Sequence, residues 1–216
     1  MSMPKIIAIL GGTFDPIHNG HILSAKHVAK WLGVNQVNLI PAHLPPHKNT
    51  VGASPKQRVE MVKLVCDDDT IFFCDQRELK RDTVSYTVDT LREIKQEFPE
   101  TTLFFIIGMD SLLSFTQWHR WQEILTLCHL VVNCRPEYSV EKLPNNIQLL
   151  LKNHHLSKSI APKSIKNQAG YILFPPEISY DISSTLIRSK IKEQQSCNNL
   201  MPASVLNYIN KHQLYR

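Results

Sequence analysis

Glycine is scarce in this chain, with seven in 216 residues. Neither the G-x-G-x-x-G turn of dinucleotide-binding folds nor the G-x-x-x-x-G-K-[ST] P-loop occurs. No apolar run approaches the roughly 20 residues that a helix needs to span a bilayer. The first residues, Met-Ser-Met-Pro-Lys, lead into an apolar run without a signal-peptide layout. The five cysteines (Cys66, Cys74, Cys128, Cys134, Cys197) form no C-x-x-C pair and are odd in number. That argues against a disulfide framework and for a reducing cytoplasm, and the thiols read as buried apolar filler. Carboxylates are missing between Glu141 and Glu177, where five lysines fall from Lys142 to Lys166. No aromatic stacking residue lies between those lysines, so the stretch reads as a solvated surface segment rather than an RNA-binding tail. It is expected to be loop-rich, with weak helix around 147–151.

What is present is ordinary in bulk and unusual in one place. Hydrophobic residues make up 43% and charged residues 20%, the balance of a globular chain long enough for a real core. A formal net charge of +5 suits anionic partners, phosphorylated metabolites or nucleic acid, without choosing between them. Three of the seven glycines lie within Gly11-Gly12-Thr13-Phe14-Asp15-Pro16-Ile17-His18-Asn19-Gly20-His21, directly after the apolar run Ile6–Leu10. A strand, a glycine turn expected to use positive φ, and a helix opening with His-Asn-Gly-His make an anion site. Backbone N–H groups approach closely at the glycines, and the helix dipole points its positive end at the same spot. Two histidines at i, i+3 add donors whose charge is expected to respond near neutral pH. A zinc site at His18 and His21 is disfavoured because no third and fourth ligand is apparent.

The remainder alternates strand and helix. Strands are expected at 6–10, 37–41, 71–74, 103–107, 130–133 and 171–174. Helices are expected at 19–32, 55–66 and 87–98, the last stopped by Pro99. Two short helices follow at 183–192, capped from Asp181-Ile-Ser-Ser, and at 202–211 with Pro202 in its first turn. Such alternation implies an α/β fold: a Rossmann-like, doubly wound, mostly parallel sheet with helices on both faces and a short C-terminal helical subregion. Ligands bind such sheets beyond the carboxyl ends of the strands at the topological switch point, where the glycine turn falls.

The segment Gly11–Pro16 with His18-Asn19-Gly20-His21 resembles the H-x-G-H signature of the nucleotidyltransferase superfamily. The chain more specifically resembles the bacterial nicotinate-nucleotide adenylyltransferase family. Pro41-Ala-His-Leu-Pro-Pro-His-Lys48 is similar to its P-x-x-x-P-P-H-K loop, and Ser85-Tyr86-Thr87 with Thr90-Leu91 to its S-Y-T-x-x-T-L helix start. Ile107-Gly108-Met109-Asp110-Ser111-Leu112 followed by Trp118, then Arg135-Pro136, and Ile182-Ser183-Ser184-Thr185-Leu186-Ile187-Arg188 resemble three further blocks. The ending with Tyr208-Ile209 and Leu214-Tyr215-Arg216 also matches; only about 137–170 lacks a pattern.

The resemblance implies one nucleotidyltransferase domain over 1–216, with 181–216 as C-terminal helices. It implies transfer of AMP from ATP to nicotinate mononucleotide, giving nicotinate adenine dinucleotide and pyrophosphate in NAD biosynthesis. His18, His21, Lys48 and Arg188 are implied to carry catalysis by contacting the phosphates. Gly11, Gly12, Thr13, Phe14, Gly108, Asp110, Arg135, Ile182, Ser183 and Ser184 are implied to join them in binding ATP. Asp15, Lys48, Thr87, Asp110, Trp118 and His119 are implied for nicotinate mononucleotide, with Trp118 stacking on the pyridine and N–H groups near Thr87 and His119 receiving its carboxylate. His119 stands where a tyrosine is expected in many relatives. Taken alone, Asp110 reads as the N-cap of a helix beginning near Ser111. Mg²⁺ is implied on the ATP oxygens, with no dedicated protein ligands. The implied partners are the two small-molecule substrates, without membrane; nucleic acid is disfavoured and a homo-oligomer is compatible. Alternatives are an adenylyltransferase for nicotinamide mononucleotide or phosphopantetheine, or a non-catalytic nucleotide- or RNA-binding protein of the same fold. A class I aminoacyl-tRNA synthetase would need a lysine-rich second signature and an anticodon-binding region.

Overall fold

A computed structural model describes residues 6–44, 52–133, 143–156, 162, 165, 169–176 and 180–216. Among these residues six parallel strands form one sheet in the order β3-β2-β1-β4-β5-β6. They are β1 (Ile6–Gly12), β2 (Val37–Pro41), β3 (Phe72–Cys74), β4 (Thr102–Gly108), β5 (His129–Asn133) and β6 (Ile172–Leu173). Eight helices accompany them among the described residues: α1 (Asn19–Leu32), α2 (Pro55–Asp68), α3 (Thr87–Glu97), α4 (Met109–Ser114), α5 (Trp121–Leu127), α6 (Asn145–His154), α7 (Ser184–Lys192) and α8 (Ala203–Lys211). Short 3₁₀ turns occupy Arg77–Lys80 and Phe115–Gln117.

The doubly wound expectation holds, and the reason is visible in β4. Alternate side chains point to opposite faces of a strand, and this strand is apolar on both. Phe104 and Ile106 join Ala8 and Val131 in a core shared with α1, α2, α7 and α8. Leu103, Phe105 and Ile107 join Ile7, Ile9 and Val132 in a second core under α3, α4, α5 and α6. The chain reverses direction across the sheet between β1 and β4, which pair from Ile6↔Thr102 to Leu10↔Ile106. Their carboxyl ends, at Gly12 and Gly108, form the switch point where such sheets bind ligands.

Three expectations need correction. The segment anticipated as loop with weak helix at 147–151 contains the full helix α6, whose Ile147, Leu150 and Leu151 are buried in the second core. That apolar face outweighs the basic flank in deciding its structure. The last strand is confined to Ile172–Leu173. The left-handed residue of the first turn is Phe14, at φ 52°, and neither Gly11 nor Gly12 takes positive φ. The two glycines are there for space: a Cβ on Gly11 would lie 3.2 Å from the Phe105 ring, and one on Gly12 3.2 Å from that of Phe14.

Candidate active site

A cleft of about 970 Å³ opens over the carboxyl ends of β1 and β4. Its first wall is the β1–α1 connection. Gly11, Gly12 and Thr13 line it, followed by His18 and His21 at the mouth of α1. His18 is the N-cap of α1 in extended conformation, but its side chain makes no capping bond. The ring instead turns into the cleft and stacks on His21, centroids 3.7 Å apart, while Phe14 meets His21 edge-on at 5.2 Å. His18 is 5% exposed and its Nδ1 is buried without a hydrogen-bond partner. Burial pushes its pKa down to about 4. Burial thus favours the neutral imidazole at His18, below the near-neutral range expected from the sequence.

The second wall is the start of α7. Ile182, Ser183 and Ser184 line the cleft. Ser183 caps the helix by accepting from Leu186 N at 3.1 Å, and Ser184 Oγ donates to the Pro16 carbonyl at 3.0 Å. The side chains so fix the helix mouth against the β1–α1 connection, leaving first-turn N–H groups toward the cleft as an anion-binding end.

The third region lies beyond β4 and under α3. Gly108, Asp110, Thr87, Trp118 and His119 all line the cleft. The helix after β4 starts at Met109 with Gly108 as its cap. Asp110 is thus an exposed first-turn residue, not the cap of a helix near Ser111, and is free to face a ligand. Trp118 is half-buried against Phe115 and Phe105, and His119 packs on Tyr86 with ring centroids 4.4 Å apart. Beneath this end, buried Glu78 accepts from Thr90 Oγ1 at 2.5 Å, and burial raises its pKa. Arg81 Nη2 donates to the same Thr90 oxygen at 2.6 Å.

Three expected residues are not on the cleft wall. Phe14 is buried beneath His21. Asp15 is 2% exposed, and its carboxylate accepts from Gly52 N at 2.8 Å, Ala53 N at 3.0 Å and Tyr215 Oη at 2.8 Å. Arg188 Nη1 donates to the Asp15 carbonyl at 2.7 Å and Nη2 to Thr185 Oγ1 at 3.2 Å. Residues 184 and 188 share a helix face, which is why both reach back to the same connection. Lys48 and Arg135 lie outside the described residues.

Asn133, Tyr180, Glu78 and Ser24, which no sequence motif singles out, also line the cleft, as does Thr90. Asn133 ends β5 and pairs with Gly108 in register; its Oδ1 is buried without a partner. Its place at the carboxyl end of a strand beside the switch point was the available signal. Among the described residues no group of three or more His, Cys, Asp or Glu is placed to hold a metal ion, and no helix is long and apolar enough to cross a membrane.

Comparison with known proteins agrees with this geometry. Residues 9–190 match the cytidylyltransferase-like family. A probable nicotinate-nucleotide adenylyltransferase of Aeromonas salmonicida is 42% identical over 210 residues, 97% of each chain. One from Escherichia coli is 40% identical over 216 residues, 99% of this chain and 100% of its own. The Plasmodium falciparum nicotinic acid mononucleotide adenylyltransferase solved with NaAD shares the fold at TM-score 0.72 and 18% identity, covering 98% of this chain and 97% of its own. The chain therefore belongs to the cytidylyltransferase-like family, in its nicotinate-nucleotide adenylyltransferase branch.

Proposed function

We infer that this protein is a nicotinate-nucleotide adenylyltransferase of NAD biosynthesis, transferring AMP from Mg·ATP to nicotinate mononucleotide with release of pyrophosphate. The observation that carries the reading is one cleft with two helix mouths and a His18–His21 pair at one end and Trp118, His119 and the start of α3 at the other. That is room for two nucleotides meeting over the end of β1.

An oxygen of the mononucleotide phosphate attacks the α-phosphorus, and the bond to the β-bridging oxygen breaks. Attacker and leaving group are already anionic, so no strong general base is required. Catalysis then rests on positioning and on neutralising charge around the α-phosphate. We assign His18 and His21 to that phosphate, with His21 nearest the reacting phosphorus. The N–H groups at the start of α7, by Ser183 and Ser184, take the β,γ end. Gly11, Gly12 and Thr13 let the triphosphate approach the backbone, and Gly108, Asp110 and Ile182 take the adenosine. Lys48, Arg135 and Arg188 supply positive charge to the phosphates; Arg188 does so from its seat on the Asp15 carbonyl.

At the acceptor end Trp118 stacks on the pyridine, and N–H groups at Thr87 and His119 receive the carboxylate. Asp15 serves by holding the β1–α1 connection, since its carboxylate is occupied by Gly52, Ala53 and Tyr215. The divalent cation is Mg²⁺, arriving on the ATP oxygens as part of the substrate. Reduced thiols and the need for ATP suit the cytoplasm, and small molecules are the partners. Burial raises the pKa of Cys66 to about 12 and of Cys74 to about 11, as expected of inert filler.

Pyrophosphate release from Mg·ATP with nicotinate mononucleotide, compared with nicotinamide mononucleotide and phosphopantetheine, tests the reading. The acid should be used far better than either alternative. Equal rates on acid and amide overturn the acceptor assignment, and no release with any acceptor overturns the activity.

A further inference from the structure

Arg58, in the first turns of α2, is fully buried, yet it sits among carbonyl oxygens rather than carboxylates. Its Nη1 donates to the Thr13 carbonyl at 2.7 Å and to that of Ala42 at 2.6 Å; Nη2 donates to the His43 carbonyl at 3.0 Å. Its Nε is buried without a hydrogen-bond partner. Asp15, Tyr215 and Glu78 favour its charge only at longer range, against the burial that opposes it. A buried charge without a contacting counter-ion is a poor way to gain stability, because desolvation costs several kcal/mol and an apolar residue of similar volume fills the space more cheaply.

What an apolar side chain cannot do is hold three carbonyls at fixed spacing; the rigid guanidinium fork does that. The three carbonyls belong to two different loops. Thr13 follows β1, and Ala42 and His43 follow β2. The two strands pair in register up to Gly12↔Pro41, and Ala42 N still donates to the Gly12 carbonyl at 2.9 Å. One residue further the chains part, and the guanidinium fills the fork between them. Thr13 and Ala42 both line the cleft.

The second loop is tied onward. His43 N donates to Ser85 Oγ at 3.0 Å, and Ser85 N donates to the Leu44 carbonyl at 3.0 Å. Ser85 precedes Tyr86 and Thr87, the mouth of α3 that we assign to the acceptor. An unbroken line of bonds therefore runs from the ATP loop through Arg58 to the acceptor turn.

We propose that Arg58 is a positioning residue for AMP transfer, setting the distance between the ATP loop and the acceptor turn by clamping the carbonyls of Thr13, Ala42 and His43. The inference rests on the two-substrate reading above. In-line attack requires near-contact geometry, and misplacement by about 1 Å is enough to cost on the order of 100-fold in rate.

The test compares the parent with Arg58→Lys and Arg58→Met in the full chain. Steady-state kinetics with Mg·ATP and nicotinate mononucleotide are read beside thermal unfolding and hydrogen exchange at the Ala42 amide. Folded variants should lose at least about tenfold in kcat while KM for each substrate moves less than about threefold, with Lys recovering part of the loss. Exchange at Ala42 should accelerate in both variants. Several outcomes overturn the proposal. They are kcat per folded molecule within about twofold of the parent, ATP affinity falling in step with kcat, or failure of both variants to fold, which would make Arg58 structural only. If the parent releases no pyrophosphate, the functional reading fails on its own. Exchange at Ala42 then still decides whether Arg58 clamps the loops.

Discussion

The imidazole of His18 stacks on that of His21 with ring centroids 3.7 Å apart and planes 28° from parallel. Two protonated rings at that separation would repel strongly, so the pair is built to share at most one charge. Burial makes His18 a ring that disfavours the proton, holding its pKa down to about 4. A phosphate placed there, as proposed above, would oppose that burial effect, since a nearby anion favours the charged form.

Stability should therefore depend on pH through His18 in a defined direction. The unfolded chain takes up the proton near pH 6.5 and the folded chain only near 4, so stability is intact above 6.5 and falls as the pH drops between those values. The full loss is on the order of 3 kcal/mol from one side chain. Urea unfolding of parent and His18→Asn at pH 7.5 and 4.5 checks it. The substitution should flatten the difference, and an equally steep loss in the variant would place the titration elsewhere. In parallel, His21→Ala should lower the rate of AMP transfer far more than it weakens ATP binding.

Gly20 separates stability from activity. It lies in the first turn of α1, where alanine is the better helix former by about 1 kcal/mol. Yet a Cβ there would lie 3.0 Å from the His18 ring and 3.2 Å from the Ile182 carbonyl. The Gly20→Ala protein should keep its melting temperature within a few degrees and lose most of its kcat, because the ring must move. Unchanged kcat would mean that the His18 position is not set by this contact.

Much of the fold was legible because periodicity survives in the sequence. Ile22, Ala25, Ala29 and Leu32 mark α1 and are buried as a face. The strands from Ile6 to Asn133 read as apolar runs because both faces of the sheet are covered. Other features carry no such pattern. A lysine-rich neighbourhood masks the apolar face of α6, and a charge destined for the interior looks like any surface charge. Arg58 and Asp15 are two such cases, decided by carbonyls and N–H groups tens of residues away. Asn133 is a third, since an amide at a strand end looks the same whether it meets solvent or a cleft.

Asp15 shows what a buried acid does here. Tyr215 Oη and two backbone N–H groups converge on its carboxylate, so it ties the β1–α1 connection to the start of α2 and to the last turn of the chain. Tyr215→Phe removes one bond to a charged acceptor and should cost about 1.5–3 kcal/mol by urea unfolding. KM for either substrate should hardly change. A selective rise in KM for nicotinate mononucleotide would instead return Asp15 to the acceptor site.

Gly108 gives the complementary case at the cleft floor. It caps α4 in extended backbone, φ −84° and ψ 168°, which alanine adopts without strain. A Cβ built there meets nothing within 4 Å. Nothing in the protein therefore opposes a side chain, and Gly108→Ala should be neutral or slightly stabilising through the unfolded chain, by up to about 1 kcal/mol. The space it would fill is the floor of the cleft beside Asn133, where we place the adenosine of ATP. Close approach of a ribose or base to the backbone would be lost, so KM for ATP should rise at least about tenfold while KM for the acceptor changes little. An alanine protein with unchanged affinity for ATP would move the adenosine away from the end of β4, and with it the assignment of Asp110.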